Sequence, residues 1–242
     1  MKVAVVTGAS SGIGEGVIKS LLNDDWKVYG VSRSKPNLDG EGFFWLKCDL
    51  SKSLEIRDAF ARISEPAVDL LISNAGVAFE EPATEVTVES FNRMYTVNVL
   101  APMIIVASLK QKLFKSTIIS ISSVSDRFVE KDFVLYGSSK AANTRYFDTL
   151  ASELPDARVY ALLPDYVDTP MLRKSQEGTD FDWSKTLTVQ DLVALMMDLE
   201  SGKHIVDSGS NIIVVNERMK EDLLPTEKLF GYNADTGELS QL

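Results

Sequence analysis

The chain opens with a short apolar run, a glycine-rich turn and an amphipathic segment, and this succession restricts the possible folds more than any other feature. Residues Val3–Val6 have the composition of a buried strand, and Glu15–Leu22 have the spacing of a helix. The turn between them contains Gly8, Gly12 and Gly14. Glycines let the backbone approach an anion, and the N–H groups at the start of a helix point towards it. The succession therefore predicts a phosphate cradle within an α/β fold.

Strand-like and helix-like segments alternate along the chain, which is typical of a parallel sheet covered by helices on both faces. The predicted strands are Val3–Val6, Lys27–Val31, Phe43–Lys47, Leu70–Ile72, Thr117–Ile121, Arg158–Leu163 and Ile212–Val215. We expect residues 1–242 to form a single domain. Residues 216–242 follow the last predicted strand as an atypical extension, which could be an interface arm, a pocket cover or a loose tail.

Composition and charge exclude several classes of protein. A chain of 242 residues with 45% hydrophobic content can bury one sizeable core. Its net charge of −10 disfavours nucleic acid and anionic membranes as partners. The single cysteine, Cys48, excludes an internal disulfide and fits a reducing cytoplasm. We expect no signal peptide and no membrane span, because the chain enters a strand at once and has no long apolar run.

The single histidine, His204, argues against a zinc site and against a Ser-His-Asp hydrolase built on Ser123. We expect His204 to be an ordinary surface residue, and we expect no metal site.

A tyrosine and a lysine, Tyr136 and Lys140, lie four residues apart at the head of an amphipathic segment. On a helix this spacing is about one turn, roughly 6 Å, so both side chains leave the same face. The pKa of a phenol is ordinarily about 10, and a nearby ammonium group lowers it. The pair can then act as a general acid or base near neutral pH. The spacing alone is common, so its meaning depends on the other motifs.

Taken together, the motifs resemble the classical short-chain dehydrogenase/reductase family. The resemblance runs from Met1 to about Asn216. It is carried by Gly8, Gly12 and Gly14, by Asn74-Ala75-Gly76, by Asn98, by Ser123 at the end of a strand, and by Tyr136 with Lys140. It implies a Rossmann-like, doubly wound, seven-stranded parallel sheet with helices on both faces. It also implies an NAD(P)-dependent oxidoreductase that acts on CH–OH and C=O groups.

The resemblance implies a catalytic role for four residues. Tyr136 would exchange a proton with the substrate oxygen, and Ser123 would hold that oxygen by a hydrogen bond. Lys140 would bind the nicotinamide ribose and lower the pKa of the tyrosine. Asn98, within a helical segment from Val88 to Leu113, would distort the helix and hold a relay water.

The resemblance and the glycine-rich turn together imply the residues that contact the cofactor. They are Gly8, Ser10, Ser11, Gly12, Ile13, Gly14, Ser32, Arg33, Asp49, Leu50, Asn74, Ala75, Gly76, Tyr136, Lys140, Pro164, Val167 and Thr169. The alternative for Asp49 is a helix N-cap, for which Ser51 and Ser53 also qualify.

The end of the second strand predicts a preference for NADP(H) over NAD(H). In related enzymes that prefer NAD, an acidic residue there binds the ribose 2′-hydroxyl. This chain has Ser32 and then Arg33, with Lys35 nearby. A guanidinium group can bind the 2′-phosphate that a carboxylate would repel. The alternative is that Arg33 is an ordinary surface residue.

One position departs from the family pattern. Asp165 follows Pro164 where the family usually has a glycine, so the local geometry beside the nicotinamide is uncertain. Further along, Met171–Thr186 corresponds to the mobile substrate lid of the family. Arg127 and Phe128, in the loop before Tyr136, could contact substrate or only solvent and the loop itself.

Residues Met103–Ala107 are apolar nearly all round, so both sides of this helical segment need cover. The sheet covers one side, and a second subunit is the preferred cover for the other. We therefore expect a homodimer or homotetramer that acts on a small carbonyl compound or alcohol. The alternative function is a catalytically idle NADP(H)-binding regulatory or assembly protein. The intact Ser123, Tyr136 and Lys140 argue against it.

Overall fold

The computed structural model describes residues 1–216 and 229–241. Its strands are β1 Val3–Thr7, β2 Lys27–Ser32, β3 Phe43–Lys47, β4 Leu70–Ser73, β5 Thr117–Ile121, β6 Arg158–Pro164, β7 Ser210–Val215, β8 Leu229–Asn233 and β9 Glu238–Gln241. Its α-helices are α1 Gly12–Asn23, α2 Ser53–Phe60, α3 Val88–Tyr95, α4 Ala101–Leu109, α5 Val134–Glu153, α6 Pro170–Ser175 and α7 Val189–Ser201.

The described strands form one sheet in the order β3-β2-β1-β4-β5-β6-β7-β8-β9. β1 to β8 run parallel, and β9 pairs with β8 in the antiparallel direction. The order changes direction between β1 and β4, which makes the sheet doubly wound. The predicted Rossmann-like fold is confirmed. The predicted count of seven strands is wrong, because β8 and β9 extend the sheet beyond β7.

The two additional strands come from the C-terminal extension. β8 lies beside β7 with Asn211 opposite Leu229, and Gly237, at φ +70°, takes part in the turn that leads into β9. The side chain of Tyr232 is buried against the core, and Leu239 packs beside it. This part of the extension is therefore neither a loose tail nor a free arm. The expectation for residues 217–228 and 242 falls outside the described part of the chain.

Helices cover both faces of the sheet and enclose two apolar layers. On one face, α1 and α7 contribute Ile18 and Leu195 to a core with Ile72. On the other face, α2, α4 and α5 bury side chains such as Ile105 and Phe147 against β1 and β5. Burial of such side chains is the main stabilising contribution in a fold of this size. Among the described helices, none has both the length and the apolar character that a bilayer crossing requires.

The segment expected to be helical from Val88 to Leu113 is interrupted at Asn98. α3 ends at Tyr95, a π-helical turn spans Thr96–Leu100, and α4 continues from Ala101. A π-helical turn widens the helix by one residue and is common at functional sites. The expected distortion is therefore present, and it turns the backbone at Asn98 towards α5.

His204 differs from its expected position. It is half-buried rather than on the surface, with Nε2 at 3.4 Å from Asp198 Oδ2 and its ring 6.1 Å from the ring of Tyr232. The sequence could not show this, because β8, which carries Tyr232, was not predicted.

Candidate active site

The glycine-rich turn places the start of α1 at the carboxyl edge of the sheet. The side chain of Ser11, the N-cap residue, makes no capping hydrogen bond with any described residue, whereas Thr87 and Thr188 cap α3 and α7 with capping boxes. The first N–H groups of α1 are thus not satisfied by the side chain of their N-cap residue. A phosphate group fits such a helix start, and Ser10 and Ser11 are exposed beside it.

Neighbouring atoms lie so close to the backbone of this turn that only glycine fits at Gly8 and Gly14. A Cβ atom on Gly14 would lie 2.3 Å from the carbonyl oxygen of Gly8, and one on Gly8 would lie 2.6 Å from Asn74 Nδ2. Gly12 has φ +57°, a conformation that L side chains rarely adopt. The backbone here forms a cradle that side chains would fill, and it fits the pyrophosphate of a dinucleotide. Ile13 is half-buried on α1 and packs against the core.

Thr7 joins the glycine-rich turn to the Asn74-Ala75-Gly76 segment. Its hydroxyl accepts hydrogen bonds from the backbone N–H groups of Asn74 and Ala75, each at 3.0 Å. The side-chain amide of Asn74 donates to the carbonyl oxygen of Thr7 at 2.9 Å. Asn74 therefore holds β1 to β4, while Gly76 faces Lys140, since a Cβ there would lie 3.5 Å from the Nζ of that lysine.

The loop after β6 comes back to the same turn. A Cβ on Gly12 would lie 3.3 Å from the methyl group of Thr169, so Thr169 covers the start of α1. Thr169 also caps α6, accepting a hydrogen bond from Leu172 N at 3.4 Å. Pro164 ends β6 opposite Val214, and the side chain of Val167 is buried in the core. Thr169 thus lies beside the glycine-rich turn, and the cofactor contacts expected of Pro164, Val167 and Thr169 stay predictions.

The carboxyl ends of β2 and β3 form a more exposed region, which we call the β2–β3 rim and define by Ser32, Arg33, Lys35 and Asp49. Ser32 is buried, donates its hydroxyl proton to Ser34 O at 2.7 Å and accepts from Trp45 Nε1 at 3.1 Å. Its proton is therefore already engaged within the protein. The Arg33 and Lys35 side chains are exposed.

Asp49 is held by the turn that precedes α2. Its Oδ1 accepts hydrogen bonds from the N–H and hydroxyl of Ser51, at 3.0 and 2.8 Å, while its neighbour Leu50 is buried. The pKa of Asp49 is lowered overall: burial alone would raise it, but the two Ser51 hydrogen bonds and the charges of Lys52 and Arg33 outweigh burial. The N-cap residue of α2 is Lys52, so the N-cap alternative for Asp49 is wrong.

Four residues meet where β5, α5 and the π-helical turn converge, and we call Asn98, Ser123, Tyr136 and Lys140 the catalytic corner. Ser123 lies just beyond β5, and Tyr136 and Lys140 lie on the first turns of α5. The Ser123 hydroxyl lies close enough to the Tyr136 hydroxyl to act on the pKa of the phenol. Lys140 Nζ lies 5.6 Å from the centre of the Tyr136 ring and donates to Ile121 O at 2.8 Å.

The expected lowering of the tyrosine pKa is not found. Burial raises the pKa of Tyr136 to about 12, with the Ser123 hydrogen bond acting in the opposite direction and the charge of Glu130 adding to the rise. Burial also lowers the pKa of Lys140 to about 8, against the charge of Asp126. Desolvation of this corner disfavours the charged form of each group, and it is the largest cause of both shifts. Tyr136 is therefore a neutral phenol at neutral pH, which suits a proton donor.

Hydrogen bonds hold the side chain of Asn98 in place. Its amide nitrogen donates to Val77 O at 2.9 Å and to Ser139 Oγ at 3.0 Å, and its Oδ1 accepts from Val77 N at 2.8 Å. The backbone oxygen of Asn98 accepts a hydrogen bond from Asn143 Nδ2 at 2.7 Å. The relay water expected at Asn98 stays a prediction.

Asn143 and Gly137 are two positions that the sequence reasoning missed. Asn143 is buried and bridges the corner, because its Oδ1 also accepts from Ser120 Oγ at 2.6 Å. Gly137 lets α5 approach the turn after β5, since a Cβ there would lie 2.6 Å from Ser125 O. A signal for Asn143 was present: it lies one turn beyond Ser139 on α5, on the same helix face as Tyr136 and Lys140.

Asp165 does not require the backbone conformation of a glycine. Within residues 1–216 and 229–241, only Asp25 and Asp132 combine a side chain with a positive φ. Asp165 N donates to Val214 O at 3.1 Å, which continues the sheet by one residue. Its half-buried carboxyl has a raised pKa, first because of burial and then because of the charge of Glu130, against a hydrogen bond from the Tyr166 backbone.

The segment from Met171 to Thr186 contains α6 and a 3₁₀ turn, Trp183–Lys185. Phe181 packs edge-on between the rings of Tyr166 and Trp183, with ring centres at 5.2 and 4.9 Å. The segment therefore adjoins the loop that carries Asp165. Its movement as a lid stays a prediction.

Comparisons with known proteins agree with this geometry. A family model described as short chain dehydrogenase matches residues 2–180. An uncharacterized oxidoreductase of Staphylococcus epidermidis is 30% identical over 218 residues, which cover 84% of this chain and 93% of the relative. Carbonyl reductase (NADPH) 2 of Sus scrofa is 28% identical over 230 residues, covering 87% of this chain and 93% of the relative.

Among solved structures, 3-ketoacyl-(acyl-carrier-protein) reductase from Brucella melitensis, in complex with NADH, has a TM-score of 0.79 and 27% identity. The match covers 90% of this chain and 98% of that one. One relative is named for NADPH and another was crystallised with NADH, so the relatives do not decide which cofactor this chain prefers.

Proposed function

Since the chain belongs to the short-chain dehydrogenase family of NAD(P)-dependent oxidoreductases, we propose that it interconverts a small carbonyl compound and its alcohol with NADP(H) as the preferred cofactor. The observation that carries the proposal is the convergence of the Ser123 and Tyr136 hydroxyls on one buried corner, with Lys140 behind them. The Asn74-Ala75-Gly76 segment borders both the glycine-rich cradle and this corner, because Gly8 approaches Asn74 and Gly76 approaches Lys140.

The nicotinamide cofactor, when bound, supplies or accepts the hydride at the carbon atom of the substrate. The residues of this chain do the remaining work. Tyr136, a neutral phenol, would donate its proton to the carbonyl oxygen as negative charge develops there. Ser123 would turn its hydroxyl group, which donates to Ser125 Oγ in the structure, to the same oxygen, so that two donors stabilise the developing charge.

Lys140 would hold the nicotinamide ribose and stay close to the phenol, and its pKa of about 8 leaves it mostly protonated at neutral pH. When Tyr136 has given up its proton, the ammonium group stabilises the phenolate that remains. Asn98 anchors the π-helical turn to Val77 and Ser139, which fixes the wall beside Gly76.

The preference for NADP(H) rests on the β2–β3 rim. Because the Ser32 proton is engaged by Ser34 O, the 2′-phosphate would be bound by Arg33, with Lys35 adding positive charge nearby. At this rim there is no carboxylate at the end of β2 to select the 2′-hydroxyl of NAD.

We also propose that the chain works as a homo-oligomer in the cytoplasm. Met103, Ile104 and Ala107 of α4 line a surface cavity of about 410 Å³ with Arg57 and Ser108. Ala107 is exposed, while Ile105 packs on the sheet. A second copy of the chain would cover this apolar surface. Light scattering at micromolar concentration should give at least twice the mass of 26.7 kDa, and a clean monomer would contradict the expectation.

The proposed activity is tested by following the reduced-nicotinamide absorbance with NADPH and NADH over a panel of diketones, sugars, steroids and acyl ketones. Steady oxidation of NADPH that depends on a carbonyl compound supports the proposal. Tight binding of NADPH without turnover of any compound would favour an idle cofactor-binding protein.

A further inference from the structure

Glu130 lies in the loop between the catalytic serine and α5, and two separate loops donate hydrogen bonds to its carboxylate. Ser125 Oγ donates to Oε2 at 3.1 Å, and the hydroxyl of Tyr166 donates to Oε1 at 2.8 Å. Tyr166 belongs to the loop after β6, and Ser125 to the turn after β5. Glu130 therefore joins the two loops that border the open side of the catalytic corner.

A chain of hydroxyl groups connects this carboxylate to the reacting oxygens. The Ser123 hydroxyl donates to Ser125 Oγ at 3.1 Å, and Ser125 donates in turn to Glu130. Ser123 also lies beside Tyr136, whose pKa the charge of Glu130 raises. The field of the carboxylate thus reaches the position where a substrate oxygen would bind.

Two arginines near these loops form ion pairs with carboxylates other than that of Glu130. Arg127 lies 3.4 Å from Asp126, and Arg173 forms two hydrogen bonds with Asp168, at 2.6 and 2.7 Å. These cations are therefore not directed at Glu130. Asp165, which replaces the usual glycine, adds a further carboxyl group on the Tyr166 loop, and the charge of Glu130 raises its pKa.

We propose that Glu130 is a specificity-determining residue, which excludes anionic carbonyl compounds from the site and favours neutral or cationic ones. The inference rests on the proposed function and names the charge class of its substrate. A keto acid or phosphorylated ketone would bring its charge towards a carboxylate that Ser125 links to Ser123 by hydrogen bonds. A neutral or amine-bearing ketone would meet hydroxyl and carboxylate acceptors instead.

A structural role alone is the competing explanation, because the hydrogen bonds of Glu130 also hold the two loops together. Glu130→Gln separates the two, since the amide keeps the size of the side chain but removes the charge. Its oxygen can still accept one of the two hydrogen bonds, and its NH2 group can donate to the other hydroxyl. Glu153→Gln is the matched control. Glu153 lies at the far end of α5, the helix that carries Tyr136. The substitution removes one exposed carboxylate about 25 Å from Tyr136, at a rise of 1.5 Å per residue.

The kinetic test uses benzoylformate and its methyl ester, which present the same ketone with and without a negative charge. We expect Glu130→Gln to raise kcat/KM for the anion relative to the ester by about 10-fold, as a like charge a few ångströms away in a partly buried site allows. Glu153→Gln should leave the ratio within about twofold, because solvent screens its charge. An unchanged ratio in Glu130→Gln would overturn the inference while leaving the proposed function intact.

A binding measurement tests the inference without turnover. Benzamidinium, benzamide and benzoate have similar shapes and differ in charge, and their dissociation constants with the NADP⁺-saturated protein can be measured by calorimetry. The wild type should bind them in that order of decreasing affinity. In Glu130→Gln the ratio of the benzoate and benzamidinium dissociation constants should be smaller by about 10-fold. If the wild type binds benzoate as well as benzamidinium, or binds none of the three, Glu130 does not select by charge. Failure to reduce any ketone would instead contradict the proposed function, because this binding test does not depend on it.

Discussion

The catalytic corner holds its side chains with buried hydrogen bonds, whereas the β2–β3 rim leaves its charged side chains in solvent. Asn98 and Lys140 are buried at 2% and 6% exposure, and their partners lie on three different elements. Arg33 and Lys35 are exposed on a single loop. Changes in the corner should therefore alter catalysis and stability together. Changes at the rim should alter only the choice of cofactor.

The largest effect is expected for Tyr136→Phe. The substitution removes one oxygen atom and keeps the ring that packs edge-on against Phe133 at 6.1 Å, so the fold should persist. Without the proton donor, kcat should fall by about 10² to 10⁴. NADPH affinity, measured by fluorescence titration, should change little. Retention of more than about half of the activity would remove Tyr136 from the mechanism.

Gly137→Ala tests whether the close packing of α5 on the turn after β5 sets the catalytic geometry. The new methyl group would meet the carbonyl oxygen of Ser125 at 2.6 Å, so α5 and the Ser123 turn must separate. Overpacking of this kind costs about 1–3 kcal/mol in stability. Small misplacements of reacting groups reduce rates by up to about 100-fold. Ser138→Ala, an exposed neighbour on the same turn, is the control, and equal effects of the two would refute the explanation.

Asn143→Leu tests the buried network itself. The substitution leaves the Asn98 carbonyl oxygen and the Ser120 hydroxyl without their partner, which should lower the free energy of unfolding by about 1–3 kcal/mol. It should also reduce kcat, because the π-helical turn loses one of its ties to α5. Thr149→Ala, exposed on the same helix, should change stability by less than about 0.5 kcal/mol. Chemical denaturation of both variants measures these changes in the free energy of unfolding. If Asn143→Leu left stability unchanged, the contrast between the buried corner and the exposed rim would be contradicted.

Arg33→Ala should have the smallest and most selective effect. A hydrogen bond to a charged group contributes roughly 1.5–3 kcal/mol, and solvent exposure at the rim favours the lower part of that range. NADPH binding should weaken by about 10-fold, NADH binding should stay nearly unchanged, and the denaturation midpoint should not move. Titration with both cofactors measures this. Equal losses for the two, or no loss, would mean that Arg33 does not select the phosphate.

Much of the fold could be predicted because its signals are local. The predicted β3 and β5 have the observed bounds, and the other five predicted strands differ by one or two residues at one end. Apart from β3, in which Phe44 and Lys47 are exposed, their apolar runs are almost entirely buried, so the pattern needs no knowledge of partners. Thr188 forms a capping box with Asp191 at the start of α7, which is a signal of the same local kind.

β8 and β9 could not be predicted in the same way. β9 begins with Glu238, and β8 contains Gly231 and Asn233, so neither has the continuous apolar run of a buried strand. A weak signal was present in Asp235-Thr236-Gly237, a turn sequence between two short segments. Their pairing depends on the edge of β7, which is a tertiary contact.

In the catalytic corner, the identities of the residues could be predicted from motif spacing, but their electrostatics could not. The sequence predicts that Lys140 lowers the pKa of Tyr136, because the two lie one helical turn apart. The structure adds the desolvation of both groups, which raises the pKa of Tyr136 and so reverses the direction of the shift. Burial is a property of the assembled fold and cannot be derived from spacing.

The most direct test of the central claim uses NADPH labelled with deuterium at the transferable position of its nicotinamide ring. After incubation of the wild-type protein with a carbonyl compound that supports NADPH oxidation, the alcohol is analysed by mass spectrometry. The account predicts one deuterium atom on the carbinol carbon, and loss of nearly all labelled product in Tyr136→Phe. Oxidation of NADPH without deuterium in the alcohol, or equal labelling by Tyr136→Phe, would contradict it.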